Sequence, residues 1–480
     1  MRFLRPEDER KELAYQDVFL MPLYSEAESR MDVDLSPAEG IGTTIPVVVA
    51  NMTAVAGKRM TETITRRGGL VVLPQDIPFE RIEEIVSYIK HCHHVFETPV
   101  VCSELDSVQT ALNLIHKRSH EAVIITDAKN KPVGIFTEKD AYRRDRYSPL
   151  RDVMTRSLIT VSSSMHPREI FDLLIERRLS IVPVVNLDGT LAGVTTRKGA
   201  VRASIYQPAL NAQNELLTSV AVRIRDQVAE TVDHLKQIGV DVIVLDTAHG
   251  HQKRMLEAIK IARTVLGPEK PLAAGNIVTA VAAEDFIQAG ATILKVGVGP
   301  GAACKTRMTT GVGRPQFSAV HRVAGIARKH GAHVWADGGV RTPRDVALAI
   351  AAGASSAMIG TWFAGTYESP ADVQHDADGH RYKEQFGMAS SRAVLNRNRQ
   401  ADPFELARRA FFEEGVSQTK MYLKPGQESV EDILDDITAG LRSACTYSGA
   451  KNLQTFFDNV VVGVQTNSGY EEGKPVAKSW

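Results

Sequence analysis

Eight short apolar runs, mostly β-branched and separated by helix-sized gaps, constrain what this chain can fold into. They are Pro46–Ala50, Leu70–Pro74, Ser219–Ile224, Asp241–Asp246, Pro271–Gly275, Ala291–Gly297, Ala332–Asp337 and Ser356–Gly360. Near-continuous apolar character, rather than strict alternation, suits parallel strands buried on both faces. Helical patterns such as Ala280–Ala289 and Pro343–Ala352 follow several of the runs and end near a glycine. Eight strand–helix units predict an α/β fold, a (β/α)8 barrel of the TIM type. That fold builds its active sites on the rim formed by the C-terminal ends of the strands. Asn51-Met52, Asp246–His251, Gly275-Asn276, Gly297–Gly301, Asp337–Gly339 and Gly360-Thr361 all fall there.

The barrel pattern is interrupted once, between the second and third runs. Inside the interruption, Gly134-Ile-Phe-Thr137-Glu-Lys-Asp140 matches Gly193-Val-Thr-Thr196-Arg-Lys-Gly199, and Ala122–Thr126 matches Ile181–Val185. Amphipathic helical stretches, Val108–Arg118 and Pro167–Arg178, precede each copy. A two-copy repeat predicts one compact module that pairs with itself. The repeat resembles a tandem CBS domain. The expected division is a first barrel part over 1–95, an insertion over 96–207 (copies about 97–148 and 153–206) and the remaining barrel over 208–480. The resemblance implies a regulatory purine nucleotide, ATP or GTP, bound through Thr137 and Asp140. The second copy keeps Thr196 but has Gly199 in place of the acid, which leaves its site in question.

Lysine plus arginine equals aspartate plus glutamate at 57 each, so no net charge draws the chain to nucleic acid or an anionic membrane. No signal-peptide core or membrane-length apolar stretch is present. Four cysteines without a CxxC pair predict free thiols in a reducing, cytoplasmic setting. His91-Cys92-His93-His94 lacks the spacing of a tetrahedral metal site and is read as a polar helix end or a linker before the repeat.

The most specific segment runs from Lys295 through Gly297-Val298-Gly299-Pro300-Gly301-Ala302-Ala303-Cys304 to Thr306-Arg307, and on to Gln316. Three glycines in five residues free the backbone to aim its amides or carbonyls at a ligand or ion. A cysteine just beyond such a turn, at a barrel rim, is placed as a nucleophile. This loop resembles the GxGPGxxCxTR signature of the IMP dehydrogenase/GMP reductase family, and the resemblance spans essentially the whole chain. It implies that Cys304 attacks C2 of a purine nucleoside monophosphate to form a thioimidate. It also implies that the carbonyls of Gly299, Gly301 and Cys304 coordinate potassium. Asp337 would hold the ribose hydroxyls and Gly339, Gly360 and Thr361 the phosphate, with Gly338 also in the substrate-binding set. Met388, Ala389 and Gly415 would meet the base, while Asp246, Gly297, Val298 and Gly299 would face the nicotinamide. Ala302 stands where the family usually has a phosphate-binding serine, and the sequence offers no replacement.

Two activities share the covalent intermediate. The resemblance implies that a dehydrogenase, using NAD, hydrolyses the adduct with an Arg-Tyr pair on a flap. A reductase, using NADPH, instead needs a proton relay for departing ammonia, here matched by Thr306 and Glu414. No Arg-Tyr pair lies between Met388 and Glu414. Ala50-Asn51-Met52 and Arg442–Ala450 also resemble the reductases, so the expectation is a GMP reductase. Features on the other side are the dehydrogenase-like Asp246–His251 segment, the insertion itself, and Phe411–Gly415 in place of the reductases' RxSEG. They keep an NAD-dependent IMP dehydrogenase and a non-catalytic nucleotide sensor as alternatives. Family members imply a homo-oligomer, a tetramer or octamer.

Overall fold

The computed structural model describes residues 1–224, 227–387, 402, 404, 408, 416 and 419–475. Its centre is a closed parallel barrel of eight strands: β1 (Val47–Val49), β2 (Leu70–Leu73), β3 (Ser219–Val222), β4 (Val242–Asp246), β5 (Leu272–Ile277), β6 (Ile293–Val296), β7 (His333–Asp337) and β8 (Ser356–Ile359). Every neighbouring pair is parallel, and β8 closes on β1 with Met358 opposite Val48. The strands fall on the eight predicted runs because apolar side chains on both faces can be buried only in such a closed, helix-covered sheet.

Alternation along each strand separates two cores. Val48, Val72, Val244, Ala273, Ile293, Trp335 and Met358 fill the barrel interior, while their sequence neighbours pack outward against the helices. Residues two positions further along share the inward face. Asp246 after Val244, Lys295 after Ile293 and Asp337 after Trp335 therefore form the next layer, nearest the C-terminal rim. This is how strand period alone gathers three charged side chains.

The insertion contains two similar units. Val100–Ser103, helix Val108–Ile115, Val123–Thr126 and Pro132–Phe136 make the first. Val161–Ser162, helix Pro167–Glu176, Ile181–Val185 and Leu191–Thr196 make the second, followed by helix Arg197–Ile205. In each, the first two strands are parallel and the last two antiparallel. Ala122 and Ile124 of one pack with Ile181, Leu191 and Val194 of the other, so the repeat does pair with itself. Both helices stop short of the predicted ends; in the second, Arg178 adopts a left-handed conformation (φ 55°) that a helix cannot continue through.

Ion pairs centred on the buried Arg202 and Glu431 fix the insertion to the barrel. Arg202 reaches Glu431 at 3.2 Å, Asp432 at 2.6 Å and Asp435 at 2.7 Å on helix Val430–Tyr447, and Arg67 reaches Glu431 at 2.6 Å. Glu431 is held low despite its burial because Arg67 and Arg202 outweigh the loss of solvent. Glu97, where the chain enters the insertion, is pushed up to about 7 by burial and by the Glu431 carboxylate. Arg118 pairs with buried Glu62, which also accepts from Tyr88 and Thr98 at 2.8 Å each. His91 caps the end of helix Phe79–Lys90 through Ser87, consistent with a polar helix end. One feature gave no local signal: Arg2–Phe3 and Val18–Leu20 flank Val461–Val464 in a small sheet that joins the two ends of the chain.

Candidate active site

The loop after β6 carries Cys304. Its glycines take conformations closed to other residues where they are needed: Gly297 has φ 151° and Gly299 φ 80°. A Cβ on Gly297 would lie 2.0 Å from the Asp337 carbonyl oxygen, and one on Gly338 would lie 3.0 Å from Pro300 Cγ. The β6 and β7 loops therefore touch through backbone, bringing the cysteine loop against Asp337-Gly338-Gly339. Gln316 ties them further, donating to the carbonyls of Val296 at 2.7 Å and Asp337 at 3.1 Å.

Cys304 is exposed, and its thiol donates to the Thr306 hydroxyl at 3.2 Å. The other three cysteines are buried, and burial pushes their thiols up, to about 11 for Cys92 and Cys102 and about 12 for Cys445. Those three are packing residues, as expected. Of the four, only Cys304 offers an accessible sulfur beside a hydroxyl.

Asp246 and Asp337 face one another across the barrel mouth, and a residue that sequence reasoning missed lies between them. Lys295 Nζ is 2.5 Å from Asp246 Oδ1 and 3.4 Å from Asp337 Oδ2. Its side chain is 1% exposed, against 20% for each carboxylate, so the acids stay reachable by a ligand while the lysine does not. Burial alone would lower the lysine, yet the two carboxylates more than offset that and hold it above its usual range. Asn51 donates to Asp246 Oδ2 at 2.8 Å, and Asn276 donates to Asp337 Oδ2 at 2.9 Å and to the Gly297 carbonyl at 2.7 Å. The signal was available: a lysine inside the apolar run of β6, opposite Gly275. A Cβ on Gly275 would lie 2.4 Å from Lys295 Cβ.

On the far side of the rim, Gly338 and Gly339 both have positive φ, 92° and 81°. The Tyr15 ring would come within 3.3 Å of a Cβ on Gly339, and its buried hydroxyl has no partner among the described residues. Gln385, also buried, donates to Thr361 Oγ1 at 2.9 Å while its own carbonyl oxygen has no partner among the described residues. Tyr15 and Gln385 carried no motif signal; only the folded chain brings them here. His251 pairs with Asp285 at 2.7 Å.

Met388, Ala389, Glu414 and Gly415 lie outside the described residues. Their described flanks reach the loop: Val416 N–H donates to the Ala303 carbonyl at 3.1 Å, and the Val416 carbonyl accepts from Gly387 at 2.8 Å. In the insertion, Thr137 donates to Asp140 at 2.8 Å, closing a capping box, and Thr196 accepts from Gly199 N–H at 2.9 Å. A Cβ on Gly199 would lie 2.7 Å from Glu97 Oε1, so a neighbouring carboxylate fills the space where an acid at 199 would begin.

A closed parallel barrel, an accessible thiol on a glycine loop and facing carboxylates at the same rim define a (β/α)8-barrel enzyme. Residues 12–476 match the family model described as IMP dehydrogenase/GMP reductase domain, and the chain belongs to that family. It is 51% identical over 480 residues, the full length of both proteins, to a GMP reductase of Mycobacterium tuberculosis. An inosine-5'-monophosphate dehydrogenase of Nitrosopumilus maritimus is 32% identical over 467 residues, covering 96% of this chain and 98% of that one. Among solved structures, a Trypanosoma brucei GMP reductase variant in complex with guanosine 5'-monophosphate superposes with a TM-score of 0.69 at 29% identity, covering 98% of each chain. The same protein in complex with guanosine 5'-triphosphate gives 0.58 at 27% identity, over 95% of this chain and 98% of that one.

Proposed function

We propose that this chain is a GMP reductase, converting GMP to IMP and ammonia with NADPH. The observation that carries the reading is the Cys304–Thr306 pair on the glycine loop of a chain half identical, end to end, to mycobacterial GMP reductases. The sequence between Met388 and Glu414 contains no Arg-Tyr pair with which to activate water, which favours deamination over hydrolysis.

In this reading Cys304 Sγ bonds to C2 of the guanine, and the bond from C2 to the exocyclic nitrogen breaks. The Thr306 hydroxyl, backed by Glu414, passes the proton that lets nitrogen leave as ammonia. NADPH, when bound, supplies the hydride that replaces sulfur at C2, and the thiolate is released with IMP. Asp337 grips the ribose hydroxyls, Gly339, Gly360 and Thr361 present backbone N–H groups to the phosphate, and Gly338, whose own N–H donates to the Met358 carbonyl, turns the chain between them. A dianionic phosphate only accepts hydrogen bonds. Gln385 donates to Thr361 Oγ1, so the threonine proton remains to be given to that phosphate, and this supplies the donor that Ala302 lacks. Met388, Ala389 and Gly415 meet the base.

Asp246, Gly297, Val298 and Gly299 would hold the nicotinamide; an accessible carboxylate beside a strand end without side-chain bulk fits that use. The carbonyls of Gly299, Gly301 and Cys304 are neutral oxygen donors of the kind a potassium ion takes, and would hold one. Residues 96–207 act as the nucleotide-sensing insertion, with ATP or GTP at Thr137 and Asp140 and at Thr196. The protein works in the cytoplasm as a homotetramer or octamer; among the described residues no helix is long and apolar enough to cross a membrane. Purified protein given GMP with NADPH, beside a parallel reaction of IMP with NAD, tests the reading. NADPH consumption with IMP and ammonia as products is expected; XMP formation in the parallel reaction overturns it.

A further inference from the structure

We propose that Lys295 is a positioning residue that sets both rim carboxylates at once, and so ties binding of the nucleotide ribose to binding of the nicotinamide cofactor. The inference rests on the reading of Asp337 and Asp246 given above and goes beyond it.

Each carboxylate has one private partner and one shared partner. Asn51 serves Asp246, Asn276 serves Asp337, and Lys295 serves both. Two carboxylates drawn to one ammonium would repel one another without it. The lysine therefore holds the two together and fixes which oxygens point away from it. Asp246 Oδ1 and Asp337 Oδ2 face the ammonium, leaving Asp337 Oδ1 for a ribose hydroxyl. The arrangement is built for the lysine: Gly275 has no side chain because Lys295 Cβ occupies that space, and Ile293 below it seals the barrel. A buried charge with two good partners costs little; one with a partner removed costs a great deal.

The test is a binding matrix measured calorimetrically on the full chain, with GMP and NADP⁺ titrated separately. Asn51→Ala should weaken NADP⁺ more than GMP, and Asn276→Ala, which also releases the Gly297 carbonyl, should weaken GMP more than NADP⁺. Lys295→Met should weaken both, each by on the order of tenfold, the loss expected when a charge-assisted contact is removed. Its KM for GMP and for NADPH should rise together. Should Lys295→Met fail to fold, Lys295→Gln, which keeps the length and a donor but not the charge, carries the same expectation. Thermal melts of each free variant separate lost stability from lost positioning. A lysine variant that melts cooperatively yet weakens one ligand only, or neither, overturns the proposal. If wild-type protein binds both ligands without producing IMP, the functional reading fails instead, and the binding pattern still decides the role of Lys295.

Discussion

Cys304 Sγ and Thr306 Oγ1 lie 3.2 Å apart at the barrel rim, the thiol donating to the hydroxyl. A nucleophile and a proton carrier two residues apart, on a loop held by backbone contact to β7, need no large movement to act in succession. Glu414 completes the proposed relay from a segment whose neighbour, Val416, is hydrogen-bonded to Ala303.

Replacing the sulfur removes the covalent step but none of the groups proposed to bind GMP. Cys304→Ala is expected to lose at least roughly a thousandfold in turnover while GMP affinity measured by calorimetry stays close to wild type. Turnover near the wild-type rate rules Cys304 out as nucleophile.

The relay has its own signature. Thr306→Val and Glu414→Gln should each slow ammonia release, by about 10²-fold, more than they slow hydride transfer. Rapid-quench ammonia assays set beside stopped-flow NADPH oxidation separate the two steps. Equal losses in both would remove the relay from the mechanism.

Gly297 is enclosed. A methyl group there would stand 2.0 Å from the Asp337 carbonyl oxygen, at a φ of 151°. Gly297→Ala should push the β6 and β7 loops apart, raise the KM for GMP about tenfold or more, and lower the melting temperature through backbone strain of about 1–3 kcal/mol. Steady-state kinetics and thermal melts on the one variant check both.

Glu97 is pushed up to about 7 in the folded chain by burial and by Glu431, against an ordinary 4.5. An acid that holds its proton more tightly when folded favours folding at low pH, and that contribution disappears as pH rises from 4.5 through 7. Glu97→Gln, which stays neutral, should therefore raise the melting temperature at pH 8 and change it little at pH 5. The opposite dependence would show that Glu97 is ionised in the folded state and paired with its arginines.

The barrel could be read in the sequence because eight buried parallel strands must each be nearly continuous apolar runs, and the glycine loop because Gly297, Gly299 and Gly301 have few other uses. The paired repeat was visible through its two copies. Other features depend on distant parts of the chain. Lys295 is hidden within an apolar strand and is explained only once Asp246 and Asp337 stand beside it. Tyr15 and Gln385 reach the rim from segments with no motif of their own. Arg67 of the barrel and Arg202 of the insertion meet on Glu431, more than 200 residues further along the chain, to seat the insertion.

The most direct test of the account follows the hydride. Protein incubated with GMP and NADPH deuterated at the transferred position should yield IMP carrying a single deuterium at C2, with ammonia formed in equal amount. Unlabelled IMP, or a protein that turns over only IMP with NAD to give XMP, would contradict it.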